Sequence, residues 1–95
     1  MDLQSDERRG EDARRILDDA IYKEAWELIR NRLIEQLEHA DIPEDRRGRL
    51  NDLLIAHKKA RQYMEQVLVT GTLAATEIDR QASLTERMTK AWRAA

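Results

Sequence analysis

What this chain lacks narrows its chemistry first. It has no cysteine, no phenylalanine, a single proline and three glycines, and aromatic residues make up only 4% of it. Without cysteine there is no disulfide framework, no thiolate zinc site and no cysteine nucleophile, a pattern that fits a reducing cytoplasm. Scarce glycine and proline in a mixed-charge chain rich in Ala, Leu, Arg and Glu is the composition of long exposed helices. No apolar run approaches the roughly 20 residues that a membrane span requires. The opening Met1-Asp2-Leu3-Gln4-Ser5-Asp6-Glu7 has neither a basic region nor an apolar stretch behind it, so no signal peptide is expected.

What is present is charge and periodicity. Charged residues are 38% of the 95 and hydrophobic residues 41%, with a net charge of −2. This length is one domain at most, and its core is modest. Disorder is the rival reading, but the hydrophobic residues fall in regular stripes, which disordered chains do not show. Residues 1–19 carry seven acidic and four basic side chains, whereas residues 41–70 carry five and six. The acidic start and balanced remainder give no overall attraction for DNA.

The stripes predict an all-α fold. A first helix is expected over about 5–18, capped by Ser5, with Asp6 and Glu7 against the positive end of its dipole. Its apolar positions, Ala13, Leu17 and Ile21, share one face. Tyr22, Trp26, Ile29, Leu33 and Leu37 share another, well over 100° away. Asp18-Asp19 sits at the switch, which predicts a break and a new helix over 20–39; one continuous helix touched on two faces is the alternative. Pro43, followed by Glu44 and Asp45, marks the start of the next helix, expected over 43–70 and ending at Gly71.

That helix carries Leu50, Leu53, His57, Ala60, Met64, Val67 and Gly71 at alternating spacings of three and four, a coiled-coil seam. A short turn makes it the antiparallel neighbour of the helix before it. The resulting core pairs Leu37 with Leu50, Leu33 with Leu53, Ile29 with His57, Trp26 with Ala60 and Tyr22 with Met64. Beyond Gly71 a C-terminal helical tail over 72–95 is expected, with Thr72 capping a first piece and Ser83-Leu84-Thr85-Glu86 forming a capping box for a second. The expected architecture is therefore an antiparallel two-helix hairpin, coiled-coil-like, with short N- and C-terminal helices.

Chemistry is sparse. His39 and His57 are the only histidines. His57 on the seam reads as a hydrogen-bonded polar residue that fixes register, or as a pH-sensitive joint. His39 with Glu35 is at most two metal ligands where three or four are needed, and there is no phosphate loop or nucleophile elbow. Neither a cofactor, a metal nor enzymatic activity is expected. Arg46, Arg47 and Arg49 crowd the hairpin tip, with Lys58 and Lys59 further along; they are candidates for weak, non-specific DNA contact that gains strength in an oligomer. Leu84, Met88 and Trp92, at i, i+4 and i+8, are candidates for docking a protein partner. Ile21, Ala25, Leu28, Ile34, Ile55, Tyr63 and Val69 are apolar yet off the seam. The terminal helices or a second subunit must cover them.

Arg9-Gly10, Ala13, Ile16-Leu17-Asp18-Asp19, Glu24-Ala25-Trp26, the turn, and a charged second helix closing on Gly71-Thr72-Leu73-Ala74 together resemble small helical proteins of phage and prophage head and DNA-packaging gene clusters. The hairpin is similar to the oligomerisation domain of phage small terminase subunits, whose hairpins assemble into rings that help load viral DNA. Many small terminases begin with a helix-turn-helix domain, and no such segment is found here, so the resemblance implies a minimal form or a different phage assembly factor. It implies a homo-oligomer in the host cytoplasm, with the large terminase subunit, the portal or another head protein as partner. The rival expectation is a helical adaptor or regulatory protein acting through its last helix.

Overall fold

The computed structural model describes residues 2–94 and is all-α. α1 spans Leu3–Asp18, α2 spans Ala20–Leu37 and α3 spans Glu44–Ala94. No strand occurs among the described residues.

α1 starts earlier than Ser5. The Asp2 carboxylate accepts the Gln4 N–H at 3.2 Å, so Asp2 caps the helix and Ser5 lies inside it. The face switch is a break of one residue. Asp19 has extended backbone angles (φ −65°, ψ 128°), its N–H donates to the Ile16 carbonyl, and its carboxylate accepts the Tyr22 N–H at 2.8 Å. It therefore ends α1 and caps α2 at once, satisfying orphan groups on both sides. α2 ends at Leu37, and residues 38–43 lead to α3, where the Pro43 carbonyl accepts the Arg47 N–H at 2.9 Å.

α3 dominates the shape. At 1.5 Å per residue its 51 residues make a rod of about 76 Å. The molecule measures 80 × 24 × 16 Å, with a radius of gyration of 21.9 Å, against roughly 12 Å for a compact chain of this length. The expected stop at Gly71 and the separate helices after it do not exist: α3 runs straight through. No glycine has positive φ, so Gly71 is not a left-handed cap. It is a contact point. A Cβ added there would lie 2.6 Å from the Gly10 Cα and 2.9 Å from the Asp6 carbonyl oxygen. Thr72 donates its hydroxyl back to the Leu68 carbonyl (3.1 Å), and Thr85 does the same to Gln81 (2.9 Å). Neither Thr72 nor Ser83 caps anything, because good helix formers and the absence of proline after residue 43 let the helix propagate past the local signals.

The contacts fix how α1 and α2 meet α3. Arg47 Nη1 donates to the Leu37 carbonyl at 3.2 Å, and His57 Nε2 lies 2.9 Å from the Trp26 carbonyl, so rising numbers in α2 meet falling numbers in α3. Above the Asp19 break, Gly10 meets Gly71. The sheltered positions of α1 (Leu3, Asp6, Gly10, Ala13, Leu17) match those of α3 between Met64 and Ile78.

The inward face of α3 differs from the expected seam. The central stripe is Leu50, Leu54, His57, Arg61, Met64, Leu68, Gly71, Ala75 and Ile78, again alternating four and three, with Val67, Ala74 and Glu77 sheltered beside it where α1 lies. This stripe shares Leu50, His57, Met64 and Gly71 with the expected one but replaces Leu53 and Ala60 by Leu54 and Arg61. Leu53 is 55% exposed, Ala60 is exposed, and Ile29 on α2 is 49% exposed, so these three are not core. Tyr22, Trp26, Leu33, Leu37, Met64 and Val67 are half-buried and Leu50 is buried. The Trp26 ring stacks on His57, with centroids 4.7 Å apart and 21° between planes, and the Arg61 guanidinium sits 4.5 Å from the ring centroid. An indole gains more from a flat aromatic neighbour and a cation than from a methyl group, which turns α3 toward the Leu54–Arg61 side.

Candidate functional site

Three groups of residues are available for function. The first is the basic set. Arg47 is half-buried and committed: its guanidinium caps the carbonyl end of α2, where a cation also meets the negative end of the helix dipole. Arg49 pairs with Asp45 at 3.4 Å on an exposed surface. Arg46 lines a shallow groove with Gln36, His39, Asp41 and Pro43. Lys58 and Lys59 are exposed, but twelve residues beyond Arg46 they stand about 18 Å along the helix. The structure does not gather the five cations into one patch.

The second is the joint between Trp26, His57 and Arg61. A carbonyl oxygen only accepts, so the contact to Trp26 requires the proton of neutral His57 on Nε2. The Trp26 Nε1–H is buried without a hydrogen-bond partner among the described residues. Arg61 also reaches Glu65, one turn on, at 3.2 Å, and its place over the indole is not legible from that i,i+4 spacing. The signal that could have found it is the second heptad stripe, in which Arg61 follows His57 by four. The arrangement ties α2 to α3 at one register.

The third is the far end of α3. Every side chain from 79 to 94 is exposed, including Met88 at 64% and Trp92 at 84%. Local pairs hold this extension: Arg80 makes two bonds to Glu77, at 2.9 and 2.7 Å, and Lys90 reaches Glu86 at 3.3 Å. Arg80 holds the Glu77 carboxyl below its ordinary range through that hydrogen bond, and Glu77 raises Arg80 in turn. Leu84, Met88 and Trp92 step round the helix by about 40° at each interval, so they form one slanting ridge.

Comparison with family models, curated proteins and solved structures gives no match. What remains is the surface itself. Among the described residues, only Ala13, Leu17, Leu50 and Ala74 are buried apolar side chains, whereas twelve large apolar residues are exposed, including Ile21, Leu28, Ile55, Tyr63, Val69 and Leu73. The first helix covers the inward face of Met64–Ile78; of the off-seam residues it reaches Tyr63, whose hydroxyl accepts from Arg9 Nη2 at 3.2 Å while the residue stays 60% exposed. Of that off-seam set only Ile34 is half-buried. No helix is long and apolar enough to cross a membrane, and no three His, Asp or Glu side chains converge as metal ligands, among the described residues.

Proposed function

We propose that this chain is a non-enzymatic, self-assembling protein of the phage head- and DNA-packaging kind. Its unit is an antiparallel, coiled-coil-like hairpin in which α1 and α2 together form one arm and α3 the other. The observation that carries self-assembly is exposure. The accessible surface is 7789 Å², against roughly 5,700 Å² for a compact chain of 11.2 kDa. Much of the excess is large apolar side chains, which a stable monomer rarely leaves in contiguous patches. The phage role rests on the resemblance of residues 8–75 to small terminase hairpins. In that setting the unit works in the host cytoplasm beside the large terminase subunit, the portal or another head protein. DNA contacts are weak, non-specific and made to phosphates by Arg46, Lys58 and Lys59.

The exposed Leu84–Met88–Trp92 ridge favours a second reading, a helical adaptor whose C-terminal segment lies in a partner's groove. Solution mass separates the two. Light scattering at micromolar concentration that returns a multiple of the chain mass supports assembly, and a monomer at all concentrations supports the adaptor. Co-purification with a large terminase or portal protein expressed from the same cluster tests the packaging role.

A further inference from the structure

We infer that α3 pairs with the α3 of a second copy, antiparallel, about a two-fold axis passing between Arg80 and Gln81. This rests on the self-assembly reading above and names the surface that carries it.

Two apolar sets lie on the outside of α3, one on each side of residue 80. Val69 and Leu73 (65% exposed) face away from α1, and Leu84, Met88 and Trp92 stand on the extension. At 100° per residue Leu73, Leu84 and Met88 fall within about 60° of one another, with Val69 and Trp92 at the flanks. Both sets step by four, which is the ridge that interdigitates when two helices cross. Their numbers are also self-complementary. Leu73 and Met88 are equidistant from the midpoint between residues 80 and 81, as are Val69 and Trp92. An antiparallel second copy therefore sets Leu73 against Met88 and Val69 against Trp92, twice each, as a two-fold interface demands. Leu84 falls on the aliphatic stem of Glu77, and each Glu77 comes near the partner's Arg80.

Charge favours the same placement. Residues 81–94 carry three basic and one acidic side chain, and residues 67–80, the stretch of α3 they face in the second copy, carry two acidic and one basic. Opposite charge across an interface fixes orientation and speeds encounter. Residues 69–92 of each copy lie alongside the other in this pairing, about 35 Å of helix, with five large apolar side chains exposed on each. An isolated helix of the extension's length is marginal in water, and a partner helix removes that deficit.

Cysteine cross-linking tests this cleanly, since the chain has no cysteine of its own. Leu73→Cys and Met88→Cys are made separately in the full chain, mixed and oxidised. Residues 73 and 88 are about 22 Å apart in one helix, so only an intermolecular disulfide forms. The expected result is a covalent dimer in the mixture and none from either variant alone, together with a roughly tenfold or greater weakening of the dimer on Leu84→Glu with helicity retained. A monomer at micromolar concentration overturns both this pairing and the self-assembly reading. An assembly of higher mass without the 73–88 disulfide, or with Met88→Cys linking to itself, overturns the pairing and leaves self-assembly standing.

Discussion

Gly10 and Gly71 bring two helix backbones into direct contact. A Cβ added to Gly10 would lie 2.7 Å from the Gly71 Cα, and one added to Gly71 would lie 2.6 Å from the Gly10 Cα. Neither neighbour is a flexible side-chain end, so a methyl group at either position forces α1 off α3. Gly71→Ala and Gly10→Ala should each destabilise by about 1–3 kcal/mol, despite alanine's better helix propensity. Gly48, also in α3, has nothing within 4 Å of its added Cβ, and Gly48→Ala should stabilise by about 0.5–1 kcal/mol. Urea titrations of the three variants check the opposite signs.

The joint at Trp26 should respond to each partner differently. His57→Ala removes the hydrogen bond to the Trp26 carbonyl and the stacked ring, and should cost about 1–2 kcal/mol. Trp26→Phe keeps an aromatic face and removes the unpartnered buried Nε1–H, so it should cost less than Trp26→Ala. Thermal unfolding of the three single variants orders them. Equal losses for Phe and Ala at position 26 would show that stacking contributes nothing.

Arg47 and Arg46 are neighbours with different duties. Arg47→Ala uncaps the Leu37 carbonyl and should lower stability by about 1 kcal/mol, whereas Arg46→Ala should leave stability within about 0.5 kcal/mol. Phosphate contact should show the reverse. Binding to a random duplex, followed by fluorescence anisotropy, should weaken with Arg46→Ala and fall steeply with added salt.

The Glu77–Arg80 pair makes the extension weakly acid-sensitive. Arg80 lowers the Glu77 pKa in the folded helix, so the pair's stabilisation is present above the carboxyl's ordinary range and is lost as pH falls through the lowered value. Side-chain carboxyl titration by NMR should place Glu77 below a free glutamate, and Arg80→Ala should return it to the ordinary range.

Residues 83–95 should be dispensable for folding and required for association. Every side chain described in that stretch is exposed, so its deletion should reduce helicity by no more than the segment removed. Circular dichroism with light scattering on the same truncated chain tests both halves of the statement.

The helical class, the break at Asp19 and the start of α3 at Glu44 were legible in the residues, because Asp at a face switch and Pro before two acids have local physical meanings. The side on which α3 meets its neighbour was not. Leu50, His57, Met64 and Gly71 belong to two heptad stripes, and only the indole lying on His57 under Arg61 chooses between them. Gly71 was read as a helix stop because a glycine that ends a helix and a glycine that admits another backbone look alike in one dimension. Ser83-Leu84-Thr85-Glu86 shows the same limit. A capping box states a local preference, and the propensity of the residues on either side outweighs it. Among the candidate sites, the common ridge of Leu84, Met88 and Trp92 followed from their spacing, whereas their exposure, and the commitment of Arg47, depended on where the other helices lie.

Continuity of α3 also ties azimuth to length. Leu50 near one end and Trp92 near the other sit on one unbroken spiral, so the two regions keep a fixed rotational phase. Removing one residue between 79 and 83 would swing the outer ridge by about 100° relative to the part held by α1 and α2. Inserting seven there would nearly restore its bearing and push the tip out by about 10 Å.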